Sequence, residues 1–256
     1  MKYGFVFPGG TPSEIVELAV AAEQAGWDGA FCWEGIYHYN PWVILSAIAV
    51  RTERIKLATM LTPAPRRRPW QLAGECVTLD QLSGGRVILS VGIGAFDTGL
   101  GDMANEEHDV RIRAEILDET IDLLRTLWTG EPVNHKGTHY SVETPGGPKP
   151  VQPDGIPIWC VGVWPRMKSM RRTLRCDGAV IQAADDSPET FAAVSAWLHE
   201  QRKEPIEIIA QGTTTPKDAA AKVAPYADAG ATWWIEADWA ADPAKVRKRI
   251  DAGPPR

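Results

Sequence analysis

Residues 51–94 read RTERIKLATMLTPAPRRRPWQLAGECVTLDQLSGGRVILSVGIG. The apolar run at 55–61 has the composition of a buried strand and passes into a Pro/Arg loop. From about residue 70 to 82 the pattern is helical, and SGGR at 83–86 stops it. Residues 87–91 form a second apolar run, which ends in Gly92-Ile93-Gly94. Two buried strands joined by a helix make a βαβ unit, so the strands lie parallel in one sheet. Both runs end in small or irregular residues, at the end of a parallel strand where ligands bind.

The alternation continues outward in both directions. Upstream, 3–7 is a strand closed by Pro8-Gly9-Gly10, and Ser13 is placed to cap a helix to about Ala25, stopped by Gly26. A strand at 30–33 is followed by an aromatic loop at 36–40 and a helix opened by Pro41 and running to Val50. Downstream, residues 95–110 are polar and long for a βα loop, either a lid or a packed surface loop. An amphipathic helix at 113–128, a hairpin at 135–142 around Gly137 and a Pro/Gly stretch at 144–157 lead to a fifth strand at 158–163. Helix 166–175, strand 179–182, helix 188–203, strand 206–210, helix 216–229, strand 232–236 and helix 243–250 complete the series. Eight strand–helix alternations without a composition break close as one α/β domain over residues 1–256, a (β/α)8 TIM barrel. About twenty residues separate strands seven and eight, which leaves no room for a large insertion there.

Composition narrows the function. The chain is 44% hydrophobic and 23% charged with a net charge of −6, a balance that fits a globular protein and not a broad nucleic-acid surface. Arg66 to Arg68 form either a solvated loop or an anion or subunit contact. Cys32, Cys76, Cys160 and Cys176 form no Cys-x-x-Cys pair, and their apolar surroundings predict buried free thiols in a reducing cytoplasm. The N-terminal MKYGFVFPGG has too short an apolar run for a signal peptide, and no run is long enough to span a bilayer.

The stretch quoted above also resembles the luciferase-like monooxygenase family of flavin- or deazaflavin-dependent oxidoreductases. The matching pattern is Thr52 to Ile55, Arg67 to Pro69, Leu79-Asp80, Ser83 to Arg86 and Gly92 to Gly94. The resemblance implies a cofactor, FMN or 8-hydroxy-5-deazaflavin (coenzyme F-420), and a homodimer formed through the outer helices after strands two and three. It also implies a non-proline cis peptide in strand three, which alignment on Pro69 puts between Thr59 and Met60, behind the cofactor ring. The alternative there is an ordinary trans strand with Met60 in the core.

Within this frame the candidate cofactor-binding residues are Thr59, Met60, Gly92, Gly94, Gly162, Val163, Trp164 and Gln182. Gly92 and Gly94 either let a flat ring approach the backbone or only satisfy a turn. Relatives use a Gly-Gly after strand five for the cofactor phosphate; this chain has Gly162-Val163, with the amides of Val163 and Trp164 as donors and Arg166 and Lys168 nearby. Strand seven ends in Gln211-Gly212-Thr213 with no adjacent cation, which argues against the other common barrel phosphate site. The candidate catalytic residues are Glu34 and His38. Relatives carry an acid followed by histidine after strand two, and here Gly35 replaces that histidine. Ala95 stands where some deazaflavin enzymes carry an acid. Trp33, Trp164, Trp234 and Trp239, near strand ends, either line an apolar pocket or pack as core. His135 and His139 sit in a hairpin that does not hold them as a metal pair, so no metal is expected.

These readings point to hydride transfer to or from a flavin-type ring, acting on a small organic molecule. The alternative is a barrel that binds flavin or another ligand without turnover. An aldolase-type barrel would need a Schiff-base lysine at a strand end, and no lysine is so placed.

Overall fold

Strands and helices alternate through residues 1–95 and 106–256, the part of the chain described by the computed structural model. In order they are β1 (Lys2–Phe7), α1 (Pro12–Gln24), β2 (Gly29–Cys32), α2 (Pro41–Ala49), β3 (Lys56–Thr59), β4 (Thr62–Pro63), a 3-10 turn (Ala64–Arg66), α3 (Pro69–Ser83) and β5 (Val87–Gly92). There follow α4 (Val110–Leu127), the hairpin β6 (Val133–Lys136) and β7 (Ser141–Thr144), β8 (Ile158–Trp164), α5 (Met167–Thr173) and β9 (Gly178–Ala183). The chain ends with α6 (Pro188–Gln201), β10 (Glu207–Gly212), α7 (Ala219–Asp228), β11 (Trp233–Glu236) and α8 (Pro243–Asp251). The parallel order β3-β2-β1-β11-β10-β9-β8-β5, closed by β3 against β5, is a TIM barrel. The antiparallel hairpin β6–β7 lies outside it. The long segment expected as a lid or surface loop falls largely on residues 96–105, outside the described residues.

Two local expectations change. Thr11, not Ser13, caps α1: its hydroxyl accepts from the Glu14 N–H at 3.3 Å, while the Glu14 carboxylate accepts from the Thr11 N–H at 2.7 Å. Pro12 then takes the first helical position, where its missing N–H costs nothing. Strand three is broken in two, and the cis peptide lies between Met60 and Leu61, one residue later than the alignment on Pro69 placed it. The ladder with β2 explains the shift. Thr59 is in register with Cys32, and the Met60 N–H still donates to the Cys32 carbonyl at 2.9 Å, so the Thr59–Met60 bond belongs to regular strand. A second cis bond, Trp164–Pro165, ends β8.

Three rings join the aliphatic side chains Val6, Ile88, Val180, Ile209 and Ile235 in filling the barrel interior. Phe31, Trp159 and Trp233 are at most 1% exposed and meet with centroids 5.1 to 6.1 Å apart. Glycines on neighbouring strands make the room. A Cβ on Gly4 would stand 2.4 Å from the Phe31 ring, and one on Gly178 2.4 Å from the Trp159 ring. The plug fills the lower barrel and confines open space to the strand C-termini.

Several residues of the resemblance motif lie at the opposite, N-terminal end of the barrel. Buried Arg86 donates to the carbonyls of Ala49, Thr52, Ile55 and Ser83 and to the Thr52 hydroxyl, tying the ends of α2 and α3 to the entry of β3. Buried Asp80 accepts from the backbone of Val151 and Gln152 and from the Gln152 amide, anchoring the Pro/Gly stretch before β8. Their role in this chain is architectural.

Glu23 does similar work at the end of α1, where its carboxylate accepts from the N–H groups of Glu53, Arg54 and Ile55. Partial burial pushes its pKa up, but the three backbone donors and Arg54 outweigh this and hold it below the ordinary 4.5. A depressed folded-state pKa gives stability that is fully present above the unfolded value and lost as pH falls through the folded one. We therefore expect Glu23→Gln to be less stable than the parent at pH 7, with the gap closing as pH falls below 4.5, as measured by urea denaturation across that range. A gap independent of pH would contradict the assignment.

Candidate active site

The C-terminal ends of β2, β3, β5, β8 and β9 surround a cavity of about 970 Å³. Its wall includes Trp33, Glu34, Met60, Leu61, Gly92, Gly94, Val161, Val163 and Gln182, with Trp239 on the lip beyond β11. From the barrel mouth it extends between α4 and α5, where Arg111, Glu115, Asp118, Arg166, Lys168, Arg171 and Arg172 line it.

Of the expected cofactor residues, Met60, Gly92, Gly94, Val163 and Gln182 line this cavity, as does the expected catalytic Glu34. Gly94 has φ of +78°, and a Cβ there would stand 2.8 Å from Pro63 Cβ and 2.9 Å from an Arg113 nitrogen, so both conformation and space require glycine. Gly92 gives its space to the Leu61 side chain, 3.0 Å from where a Cβ would lie.

The other expected site residues lie elsewhere. Thr59 is fully buried, and its hydroxyl donates to the Ser90 carbonyl at 3.2 Å. Gly162 faces α5 and not the cavity: a Cβ would meet Met170 and Thr173 at 2.9 Å, so this glycine lets the helix dock on β8. Trp164 packs against Trp197, with centroids 6.2 Å apart. The Val163 N–H, read as a phosphate donor, is taken by the Ser169 hydroxyl at 3.0 Å. Exposed His38 lies against the Trp33 ring, with centroids 4.3 Å apart and the planes tilted by 42°, and it is not among the residues lining the cavity. Among the four tryptophans, Trp33 and Trp239 reach the cavity, whereas Trp234 is buried beside Tyr226 in the core outside the barrel. Lys222 does approach the end of β10, but it donates to the Thr213 carbonyl at 2.7 Å.

Gly35, the position where relatives carry histidine, is also determined by packing. A Cβ there would lie 2.4 Å from the Trp33 ring, which is fixed by its indole N–H donating to the Pro8 carbonyl at 2.9 Å. The ring occupies the room an imidazole would need.

Glu34 is thus the acid presented after β2. Arg67 Nε donates to Glu34 Oε1 at 2.7 Å, and Arg67 Nη1 donates to Glu75 at 2.6 Å. Burial opposes the Arg67 charge, but Glu34 and Glu75 outweigh it and raise its pKa; burial also raises the Glu75 carboxyl, against the pull of Arg67. Glu34 Oε2 is buried without a hydrogen-bond partner among the described residues. A buried polar atom left unmatched is costly, and Trp42 Nε1, Ser90 Oγ, Thr120 Oγ1, His139 Nε2 and Trp233 Nε1 share this state among the described residues. The Arg66–Arg68 run is accordingly neither a purely solvated loop nor an unpaired anion site. Arg66 pairs with Glu106, Arg67 joins Glu34 to Glu75, and Arg68 lies 5.9 Å from the Trp70 ring centroid.

The four cysteines are buried and free, and burial pushes the Cys32 thiol up to about 12, which leaves no thiolate for nucleophilic chemistry at that residue. His135 is paired with Glu119 at 2.9 Å. Sequence reading missed Arg67 as the partner of Glu34, and it missed the polar stripe of α4. The stripe's signal was present, because positions 111, 115 and 118 share one helical face, beside the one carrying the buried Leu117, Ile121 and Leu124.

A family model described as luciferase-like monooxygenase matches residues 4–254. The F420-dependent glucose-6-phosphate dehydrogenase of Amycolatopsis mediterranei (strain U-32) is 35% identical over 158 residues, covering 58% of this chain and 47% of that protein. The protein of the same name from Nocardia farcinica (strain IFM 10152) is 36% identical over 142 residues, 50% of this chain and 41% of that protein. The chain spans about half the length of the curated relatives it matches. Among solved structures, the coenzyme F420 dependent tetrahydromethanopterin reductase from Methanopyrus kandleri superposes with a TM-score of 0.82 at 16% identity, covering 99% of this chain and 97% of that one. Monooxygenase RslO1 from Streptomyces bottropensis gives 0.81 at 17% identity, covering 98% and 96%. At these identities the likeness shows the fold.

Proposed function

The chain belongs to the luciferase-like monooxygenase family, and we propose that it is an oxidoreductase using a flavin-type cofactor, a deazaflavin in preference to FMN, to move a hydride to or from a small organic substrate. The observation that carries this reading is a cavity of about 970 Å³ at the strand C-termini, walled by Met60, Leu61, Gly92 and Gly94, with the acid Glu34 in its lining. The F420 dependence named in the curated relatives supports the choice of deazaflavin.

The residues present fit such a group. Met60 and Leu61 offer an apolar wall to one face of a planar ring, and the positive-φ Gly94 keeps the β5 end free of side chains. The volume suits a cofactor with a substrate beside it. When bound, the cofactor supplies the two-electron acceptor or donor. The protein orients the substrate and excludes water. In the oxidative direction the Glu34 carboxylate accepts the proton of a substrate hydroxyl while the carbon gives up its hydride to the cofactor, and the reverse direction returns that proton. Arg67, bound to Oε1, holds the carboxylate in one orientation.

A carboxylate in the cavity lining, held in one orientation by Arg67, favours turnover over a barrel that only binds ligand. An anaerobic titration followed by absorbance and fluorescence should give saturable micromolar binding of the deazaflavin coenzyme, with weaker binding of FMN. Silence toward both would remove the oxidoreductase reading.

We also propose a homodimer through α2 and α3, in a cytoplasmic setting consistent with four free thiols. Val43 and Val50 flanking or within α2 are 68% and 67% exposed, and Trp70 and Leu82 on α3 are 43% and 52% exposed, an apolar face of the kind that partners cover. Light scattering should give twice the chain mass, and Val43→Glu should halve it. A monomer at high concentration would contradict the proposal.

A further inference from the structure

Resting on the reading of the barrel mouth as a site of hydride transfer, we propose that the substrate is an uncharged, largely apolar alcohol or the matching carbonyl compound, and that the mouth turns away sugar phosphates. Around the closed barrel, β2 and β11 flank β1, and β5 and β8 stand on the far side of the ring. The cavity residues that follow β2 and β11 are Trp33, Glu34, Gly35, Ile36 and Trp239. This arc presents the acid, so the reacting hydroxyl of the substrate has to reach it. The cations lining the cavity stand across the ring: Arg111 on α4, which follows β5, and Arg166, Lys168, Arg171 and Arg172 at α5, which follows β8. Arg66, after β4, is held by Glu106 and by the Ala95 carbonyl.

Residues 8–11, 33–40 and 237–242, which follow β1, β2 and β11, contain no lysine or arginine, and neither do residues 96–105. His38, the one imidazole in these loops, is not in the cavity lining. Arg67 is bound by Glu34 and Glu75, and Lys245 is paired with Asp238 at 2.6 Å. A phosphomonoester carries about two negative charges. Here it would meet Glu34 with no cation to balance it, and taking such a group out of water unpaired is costly. A polyol fares little better. Among the described residues lining this arc, Glu34 is the only one with a carboxylate, hydroxyl or amide, and the Trp33 N–H already donates to the Pro8 carbonyl. Several hydroxyls would lose water without gaining partners. What the arc does offer is apolar area: Trp33, Ile36 and Trp239, the last 53% exposed on the lip. Open apolar surface around a single polar group suits a largely apolar molecule fixed by one hydroxyl. That hydroxyl gives its proton to the Glu34 carboxylate while its carbon gives a hydride to the cofactor. The alcohol is thereby oxidised to the carbonyl compound, and the cofactor is reduced by two electrons.

The test begins with the whole protein saturated with the deazaflavin coenzyme. Ligand-observed NMR then measures the affinity of 2-propanol, cyclohexanol, 1-phenylethanol, glucose and glucose 6-phosphate, and anaerobic absorbance records which of them bleaches the coenzyme. Each buried methylene is worth about fourfold in affinity, so cyclohexanol should bind roughly fiftyfold more tightly than 2-propanol. Glucose and glucose 6-phosphate should bind more weakly than either, and added salt should leave the affinity for cyclohexanol unchanged. Trp239→Ala, at a half-exposed position, should weaken cyclohexanol binding about tenfold with coenzyme affinity unchanged, which also reports that the fold is intact. At least one of the three alcohols should bleach the coenzyme. Affinity that does not rise with apolar size, an unaltered cyclohexanol affinity in Trp239→Ala, or no bleaching by any of the three alcohols would overturn the proposal. Binding or bleaching by glucose 6-phosphate at least as strong as by cyclohexanol would overturn it as well. Failure of the coenzyme itself to bind is a separate result, which removes the hydride-transfer reading and this inference with it.

Discussion

Glu34→Gln is expected to lower kcat by about 10²- to 10⁴-fold, the range for loss of a general acid–base group, while leaving coenzyme binding in place. The amide keeps the shape of the carboxylate and can still accept from Arg67 through its oxygen. It offers an NH₂ where Oε2 stood and cannot take a proton from a substrate hydroxyl. The loss should therefore appear in single-turnover hydride transfer and much less in the spectrum or affinity of bound coenzyme. Glu34→Asp retains the chemistry but withdraws it by one methylene, so it should fall between parent and amide. The expectation is sharpened by what is missing around this residue: Gly35 has no room for an imidazole beside the Trp33 ring, and His38 does not reach the cavity. Activity of Glu34→Gln within a few-fold of the parent would move the proton work elsewhere.

The largest effect on stability is expected at Arg86. Arg86→Ala removes hydrogen bonds to the carbonyls of Ala49, Thr52, Ile55 and Ser83 and to the Thr52 hydroxyl, in a place where Arg86 itself is 7% exposed. Each buried acceptor left unmatched costs about 1–3 kcal/mol, and some water will enter the space, so a loss of roughly 3–5 kcal/mol is expected. Arg86→Lys should recover only part of it, because one ammonium with three donors cannot replace a fork that reaches acceptors from α2, α3 and the approach to β3. Urea denaturation measures both. A loss below about 1 kcal/mol for Arg86→Ala would show that the carbonyls find other donors.

The barrel was legible in the sequence because its signals are local. Apolar runs punctuated by glycine and proline, each followed by a helical period, require only neighbouring residues to be read. The family motif was legible too, though its letters did not reveal that Asp80 and Arg86 hold the base while Gly92 and Gly94 shape the mouth. What escaped depended on contacts between distant residues. The bond between Arg67 and Glu34 spans 33 positions, and nothing in RRRP distinguishes the arginine that reaches the cavity acid from its neighbours. Gly162 looked like a phosphate-loop glycine because its position along β8 is right, but its missing Cβ is filled from α5. The cis bond was displaced by one residue because alignment on Pro69 counts positions, whereas the ladder to Cys32 decides where regular strand stops.

The central claim is that a planar redox cofactor occupies the mouth of this barrel, and a crystal structure of the protein with the deazaflavin coenzyme tests it most directly. We expect the ring to lie against Met60 and Leu61 with its edge toward Gly92 and Gly94 and the substrate side facing Glu34. A coenzyme bound outside the mouth, or seated there with its reactive face turned away from Glu34, would contradict the account.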